Sequence, residues 1–170
     1  MKKGILLLYF YEKHSKEVID MERKGVITFL GNPLTLIGTE IKVGAKSGDF
    51  TVLDKELKEI TLKNFSSKIK LISVTPSLDT PVCDMQARRF NQEAAKLPDS
   101  VVIMNISMDL PFAISRFCTS AGIDKIKTYS DHRDASFGNA FGVLIRELRL
   151  LARSLRSITT IVIISTNTFR

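Results

Sequence analysis

The sequence predicts a single α/β domain, and three observations carry that reading. Lys68–Val74, with Ile69, Leu71, Ile72 and Val74, reads as a core strand, and Val101–Ser107 has the continuous apolar character of a parallel strand covered on both faces. Each is followed by a helix-type segment with proline in its first turn, Pro81 to about Lys96 and then a helix through Pro111 to about Ala121. Short strand and helix patterns keep alternating beyond them. Elements in this order imply βαβ units with right-handed crossovers, and 170 residues suffice for one domain with a real core.

Taken in order, residues 1–20 open with Lys2 and Lys3 and a short apolar run from Gly4 to Tyr11. No small-residue cleavage site follows, so a loosely attached arm is expected rather than a signal peptide. Lys16–Ile19 is encodable by a purine-rich stretch like a ribosome-binding site, which makes Met21 the expected native start. Val26–Leu30 and Leu34–Ile37 flank Gly31-Asn32-Pro33 and read as a hairpin. Val43–Gly48 is loop, Phe50–Leu53 and Ile60–Leu62 are short strands, and Asn64-Phe65 opens a turn of helix.

The apolar run through Val74 stops at Pro76. In the helix from Pro81, the residues Val82, Phe90, Ala94 and Leu97 recur at roughly helical spacing, and Leu97-Pro98-Asp99 stops it. Asp109 is the expected N-cap of the next helix, with Pro111 in its first turn and Gly122 at its end. Ala113, Phe117 and Ala121 share one face of it, Ile114 and Cys118 another. Ile126–Tyr129 reads as a strand, Asp134–Phe141 as a helix ending at Gly142, and Val143–Ile145 as extended chain turning towards Leu150–Arg153. Ile158–Ile164 contains only Ile, Thr and Val, and predicts one further strand.

Chemistry concentrates at Pro76–Cys83. Cys83 falls in the first turn of a helix that directly follows a core strand. Unpaired N–H groups and the positive end of the helix dipole point there. Such a place favours the thiolate, the nucleophilic form. The plainer reading is an inert buried thiol. Thr80, three residues earlier, can bring its hydroxyl to the sulfur or cap the helix, and one backbone geometry serves both. Pro76 by itself reads as a strand terminator.

The pattern P-x-x-x-T-x-x-C, with Phe29–Leu36, Ser77–Cys83, Asp109–Ala113, Arg116–Cys118 and Ser130–Arg133, resembles the bacterial thiol peroxidases of the peroxiredoxin family. The resemblance covers about Met21 to Ser154. It implies a thioredoxin-like three-layer fold with an N-terminal β-hairpin, so the domains expected are a non-family extension (1–20), the peroxiredoxin domain (21–154) and a divergent segment (155–170). The family's C-terminal strand pair and long helix are expected to be missing, since residues 155–170 have room for one strand. A frameshift near Ser154 is the expected origin of the break.

The resemblance further implies that Cys83 is the peroxidatic nucleophile and Cys118 the resolving cysteine. The two would form an intramolecular disulfide, reduced by thioredoxin. Lying on separate helices, they are expected to start beyond the roughly 7 Å between Cα atoms that a disulfide tolerates, so local unwinding precedes the bond. Arg153 aligns with the family's active-site arginine, whose fixed charge favours the thiolate and stabilises charge on the departing oxygen. Its plainer reading is one more surface arginine beside Arg146, Arg149 and Arg156. Pro76 matches the shielding proline.

Composition narrows the alternatives. The net charge of +7 invites a nucleic-acid reading. Residues 1–20 and 155–170 supply +3 of it, however, and the rest is scattered among acids, so no nucleic-acid partner is expected. No apolar run reaches the ~18–20 residues of a membrane span. Two distant cysteines and two histidines give neither a disulfide scaffold nor zinc-ligand spacing. No cofactor or metal is expected, because a thiol suffices for the redox step. His132, among Asp131, Arg133 and Asp134, reads as a hydrogen-bonding loop residue rather than an acid–base group, and Phe112 and Phe117 as core or dimer-surface aromatics. A cytoplasmic homodimeric peroxidase acting on hydrogen peroxide and alkyl hydroperoxides is the leading expectation. Two others stand beside it: a truncated non-catalytic remnant and a redox-sensing thiol protein of the same fold.

Overall fold

A computed structural model describes residues 22–45, 47–159 and 162–166, with backbone alone at 159 and 162–166. The expectations for residues 1–20 and for a start at Met21 lie outside it. The chain begins with a hairpin of β1 (Glu22–Phe29) and β2 (Asn32–Ile37). Its turn is Leu30-Gly31, both with positive φ (50° and 82°), as in the two-residue turn whose twist matches the flanking strands. The expected turn at Gly31–Pro33 thus lies slightly early, and Pro33 stands in β2 opposite Thr28.

The main chain of elements follows: β3 (Thr51–Leu53), β4 (Glu59–Thr61), a 3-10 turn (Leu62–Phe65), β5 (Ile69–Val74), α1 (Pro81–Ala94), β6 (Val101–Ser107), α2 (Pro111–Ala121) and β7 (Lys127–Ser130). Next come α3 (Ser136–Ala140), β8 (Leu144–Ile145), β9 (Leu150–Leu151), β10 (Ser154–Thr159) and β11 (Val162–Thr166). Seven strands form the central sheet in the order β11-β10-β5-β6-β7-β3-β4. The three in its middle, β5, β6 and β7, are parallel and are joined through α1 and α2. A second, antiparallel sheet has the order β1-β2-β8-β9.

Side-chain alternation on the strands sorts the core into two layers. Leu71 and Ile103 pack with Ala87, Ile114, Phe90 and Phe117 beneath the two long helices. Ile72, Val74, Val102, Met104 and Ile106 face the other way, onto Leu34 and Leu36 of β2 and the Phe50–Phe137–Phe141 cluster. In that cluster, Phe137 stacks on Phe141 at 4.5 Å and meets Phe50 edge-on at 5.1 Å. This is a thioredoxin-like three-layer arrangement with an N-terminal hairpin.

Three local expectations differ from what forms. Val82 is 56 % exposed, and the inward face of α1 is Cys83, Ala87, Phe90 and Ala94 instead. The N-cap of α2 is Leu110, not Asp109, whose carboxylate is turned back onto the loop before α1. The helix near Phe137 starts at Ser136 because Ala135 is left-handed (φ 49°). Its first free N–H groups, those of Phe137 and Gly138, donate to Asp131 at 2.9 and 2.8 Å.

The run expected to give one strand over Ile158–Ile164 contributes to two. β10 pairs with β5 on one side and with β11 on the other, both antiparallel. Among the described residues no helix follows β11. The pairing carries Arg156 into the core opposite Ile72, where it is 5 % exposed. Its Nε and Nη1, like the Oγ of Ser154, find no partner among the described residues.

Candidate active site

The C-terminal ends of β5 and β6 are where open α/β sheets present their ligand crevice, and α1 starts beside them. Thr80 has the extended backbone of an N-cap (φ −98°, ψ 141°), and Pro81 opens the helix. Cys83 is therefore the third helical residue. Its side chain points inward and has no exposed surface, whereas Thr80, Pro81 and Val82 around it are exposed.

Arg153, between β9 and β10, reaches across to this turn. Its Nη2 donates to the Cys83 Sγ at 3.0 Å, and its Nη1 donates to Gln86 Oε1. Gln86 stands three residues after Cys83, so both fall on one side of the helix. Its Nε2 donates in turn to Ser73 Oγ at 2.7 Å. Ser73 also receives Asn105 Nδ2 at 3.4 Å, and Asn105 Oδ1 accepts from Thr75 Oγ1 at 3.3 Å. The guanidinium is thus oriented by a file of buried polar groups rooted in β5 and β6. Isolated buried polar groups would be costly; linked, they fix one geometry.

Two predicted site residues take more modest positions. Thr80 Oγ1 donates to the Ser77 carbonyl at 3.0 Å rather than to the sulfur, and it makes no side-chain cap bond. Its oxygen lone pairs remain open to an incoming donor. Pro76 is half-buried where the chain leaves β5. Directly before it, Thr75 N–H still donates to Ile106 O at 3.0 Å.

Cys118 lies on α2, partly buried against the layer beneath the helices. Its Sγ is 3.5 Å from Thr128 Oγ1. Burial pushes this thiol up from its ordinary value, against the weaker pull of the Thr128 hydroxyl and Lys55. It lines a cavity of about 420 Å³ with Lys55, Ser115 and Asp124. Both cysteines are free thiols with separate partners.

Asp131 and His132 directly follow β7. Burial raises the Asp131 carboxyl to about 6, and the Asp134 charge adds to it, against the N–H groups of Gly138, Phe137 and Ser136. His132 Nδ1 is 2.9 Å from Ser130 Oγ, a loop hydrogen bond as expected from its neighbours. Phe117 is core, and Phe112 is exposed. Sequence reasoning missed Gln86, Ser73 and Asn105. Gln86 alone had a local signal, its i,i+3 spacing from Cys83.

Comparison with known proteins places the chain in a family. The Redoxin family model matches residues 42–168. The thiol peroxidase of Bacillus subtilis is 61% identical over 128 residues, which are 75% of this chain and 76% of that protein. The thiol peroxidase of Halalkalibacterium halodurans is 58% identical over the same length and shares. Among solved structures, a peroxiredoxin-like protein from Aquifex aeolicus superposes with a TM-score of 0.74 at 37% identity, covering 81% of this chain and 82% of its own. A thiol peroxidase from Chromobacterium violaceum, at TM-score 0.73 but 21% identity, shares the fold over 83% of this chain and 84% of its own. The chain belongs to the Redoxin family and, within it, to the bacterial thiol peroxidases, thiol-dependent enzymes of the peroxiredoxin type.

Proposed function

We propose that this chain reduces hydrogen peroxide and alkyl hydroperoxides with Cys83 as nucleophile and Cys118 as resolving thiol. The observation that carries the reading is the 3.0 Å contact of Arg153 Nη2 with the Cys83 sulfur. A fixed cation there orients the sulfur and meets the negative charge that grows on the peroxide oxygens.

The thiolate attacks the terminal oxygen of ROOH. An S–O bond forms, the O–O bond breaks, and the leaving oxygen departs as ROH with a proton, giving a sulfenic acid. Thr80 accepts a hydrogen bond from the bound peroxide, while Pro76 keeps bulk water off the sulfur. Cys118 then condenses with the sulfenic acid, releasing water and forming the Cys83–Cys118 disulfide. A thioredoxin dithiol reduces that bond, regenerating both thiols and leaving thioredoxin oxidised.

Phe112, Leu110, Val82 and Met85, all exposed around the site, suit a second copy of the chain, and a homodimer is the proposed assembly. No helix of the described residues is long and apolar enough to cross a membrane, and a cytoplasmic place is proposed.

Peroxide consumption with thioredoxin and its reductase tests the reading. Sustained turnover, abolished in Cys83→Ser, is the expected result. A single oxidation without turnover would favour a redox sensor, and no rapid thiol oxidation would favour a non-catalytic remnant.

A further inference from the structure

Asp109 joins the two segments that carry the cysteines. It stands between β6 and α2, the helix bearing Cys118. Its Oδ1 accepts from Ser77 Oγ at 2.7 Å, and its Oδ2 accepts from Leu78 N–H at 2.8 Å and Ser107 Oγ at 2.9 Å. Ser77 and Leu78 belong to the loop that leads into the Cys83 turn. Ser77 passes the constraint on, because its carbonyl receives both the N–H (3.2 Å) and the hydroxyl (3.0 Å) of Thr80. Leu78, 3 % exposed, plugs the layer beneath the helices.

The far half of α1 is held separately. Arg88 Nη1 donates to Ala121 O at 3.1 Å, Asn91 Nδ2 donates to Gly122 O, and Asn91 Oδ1 receives the N–H groups of Asp124, Lys125 and Ile126. Opening of the site therefore falls to the first turn of α1, where Cys83 and Gln86 are tied to Arg153 and Ser73 and the loop leading into the turn is tied to Asp109.

We propose that Asp109 is a positioning residue, a latch that holds the Cys83 turn wound and sets how fast it opens towards Cys118. This rests on the reading of Cys83 and Cys118 given above. The sulfenic acid on Cys83 has two fates. It condenses with the Cys118 thiol, losing water to give the disulfide, or it reacts with a second ROOH, losing ROH to give the irreversible sulfinic acid. A tighter latch favours the second fate and a looser one the first.

Two variants of the full chain, Ser77→Ala and Asp109→Asn, test this in two ways. Hydrogen exchange on the reduced protein reads the latch without any peroxide. The amides of Leu78, Thr80 and Asp84 should exchange about tenfold faster in Ser77→Ala, the loss expected for one hydrogen bond to a charged acceptor. Those of Ile103–Ile106 should stay as in the wild type. Under excess hydrogen peroxide, intact mass should show the disulfide-to-sulfinate ratio rising by a similar factor. The double variant should exceed Asp109→Asn little, because the two changes remove a shared bond. Unchanged exchange at the three amides, or a uniform rise across β6 with an unchanged product ratio, would overturn the latch. If the wild type forms no sulfenic acid, the peroxidase reading fails, while the exchange result still decides for or against the latch.

Discussion

Arg153 Nη2 lies 3.0 Å from the sulfur of Cys83, 70 residues earlier in the chain. The contact joins the head of α1 to the segment entering β10, so the site is complete only when β10 has paired with β5. Replacing Arg153 by Met should lower the second-order rate constant for peroxide by about 10²-fold, the loss typical of one preorganised donor. Arg153→Lys should recover little of it. A single ammonium cannot bond the sulfur and Gln86 together as the planar fork does. Stopped-flow oxidation of Cys83 measures both.

Gln86 touches the guanidinium and not the reacting atoms. Gln86→Met keeps its bulk but drops both its bond to Arg153 and its bond to Ser73. The rate constant should fall by about tenfold, the equivalent of one to two hydrogen bonds, with thermal stability little changed. A loss that tracks unfolding instead would make Gln86 merely structural.

The alternation of elements, the β1–β2 hairpin, the proline-opened α1 and α2 and the Gly122 stop were all legible, because each rests on local chemistry. So was the Cys83 turn, where strand, loop and helix start are contiguous. What eluded the sequence depends on partners far along the chain. Asp109 looks like an N-cap because nothing local shows that Ser77 and Leu78 will compete for its carboxylate. Val82 looks inward because an apolar side chain in a first turn ordinarily packs, but here the cysteine takes the inward position. Gln86 and Asn105 gain meaning only once β5, β6 and α1 are assembled.

Arg156 was read among surface arginines, yet β10 buries it beside Ile72 with two of its nitrogens unpartnered among the described residues. Burial lowers its proton affinity, and nearby Arg23 adds to that. Arg156→Leu should therefore stabilise the protein, by about 1–3 kcal/mol. In a chain of this size that is about 2–4 °C of Tm per kcal/mol. Calorimetry checks it, and a lower Tm would show that Arg156 is compensated after all.

Asp131 gives a pH signature. Its native carboxyl is raised to about 6, so between about pH 4 and pH 6 the folded state keeps a proton that the unfolded chain has released. Through this group, stability falls as pH rises across that window and is level above it. Asp131→Asn cannot titrate, so the difference in unfolding free energy between wild type and variant should change by up to about 3 kcal/mol from pH 4 to 6. Urea denaturation at both pH values measures it.

The central claim concerns one sulfur, and Cys118→Ser isolates it by removing the resolving thiol. Mixed with one equivalent of hydrogen peroxide in a stopped-flow device, this variant should form a single sulfenic acid at Cys83. The second-order rate constant should be on the order of 10⁴ M⁻¹ s⁻¹ or higher, the range of working enzymes. Oxidation of Cys83 no faster than that of free cysteine would contradict the account.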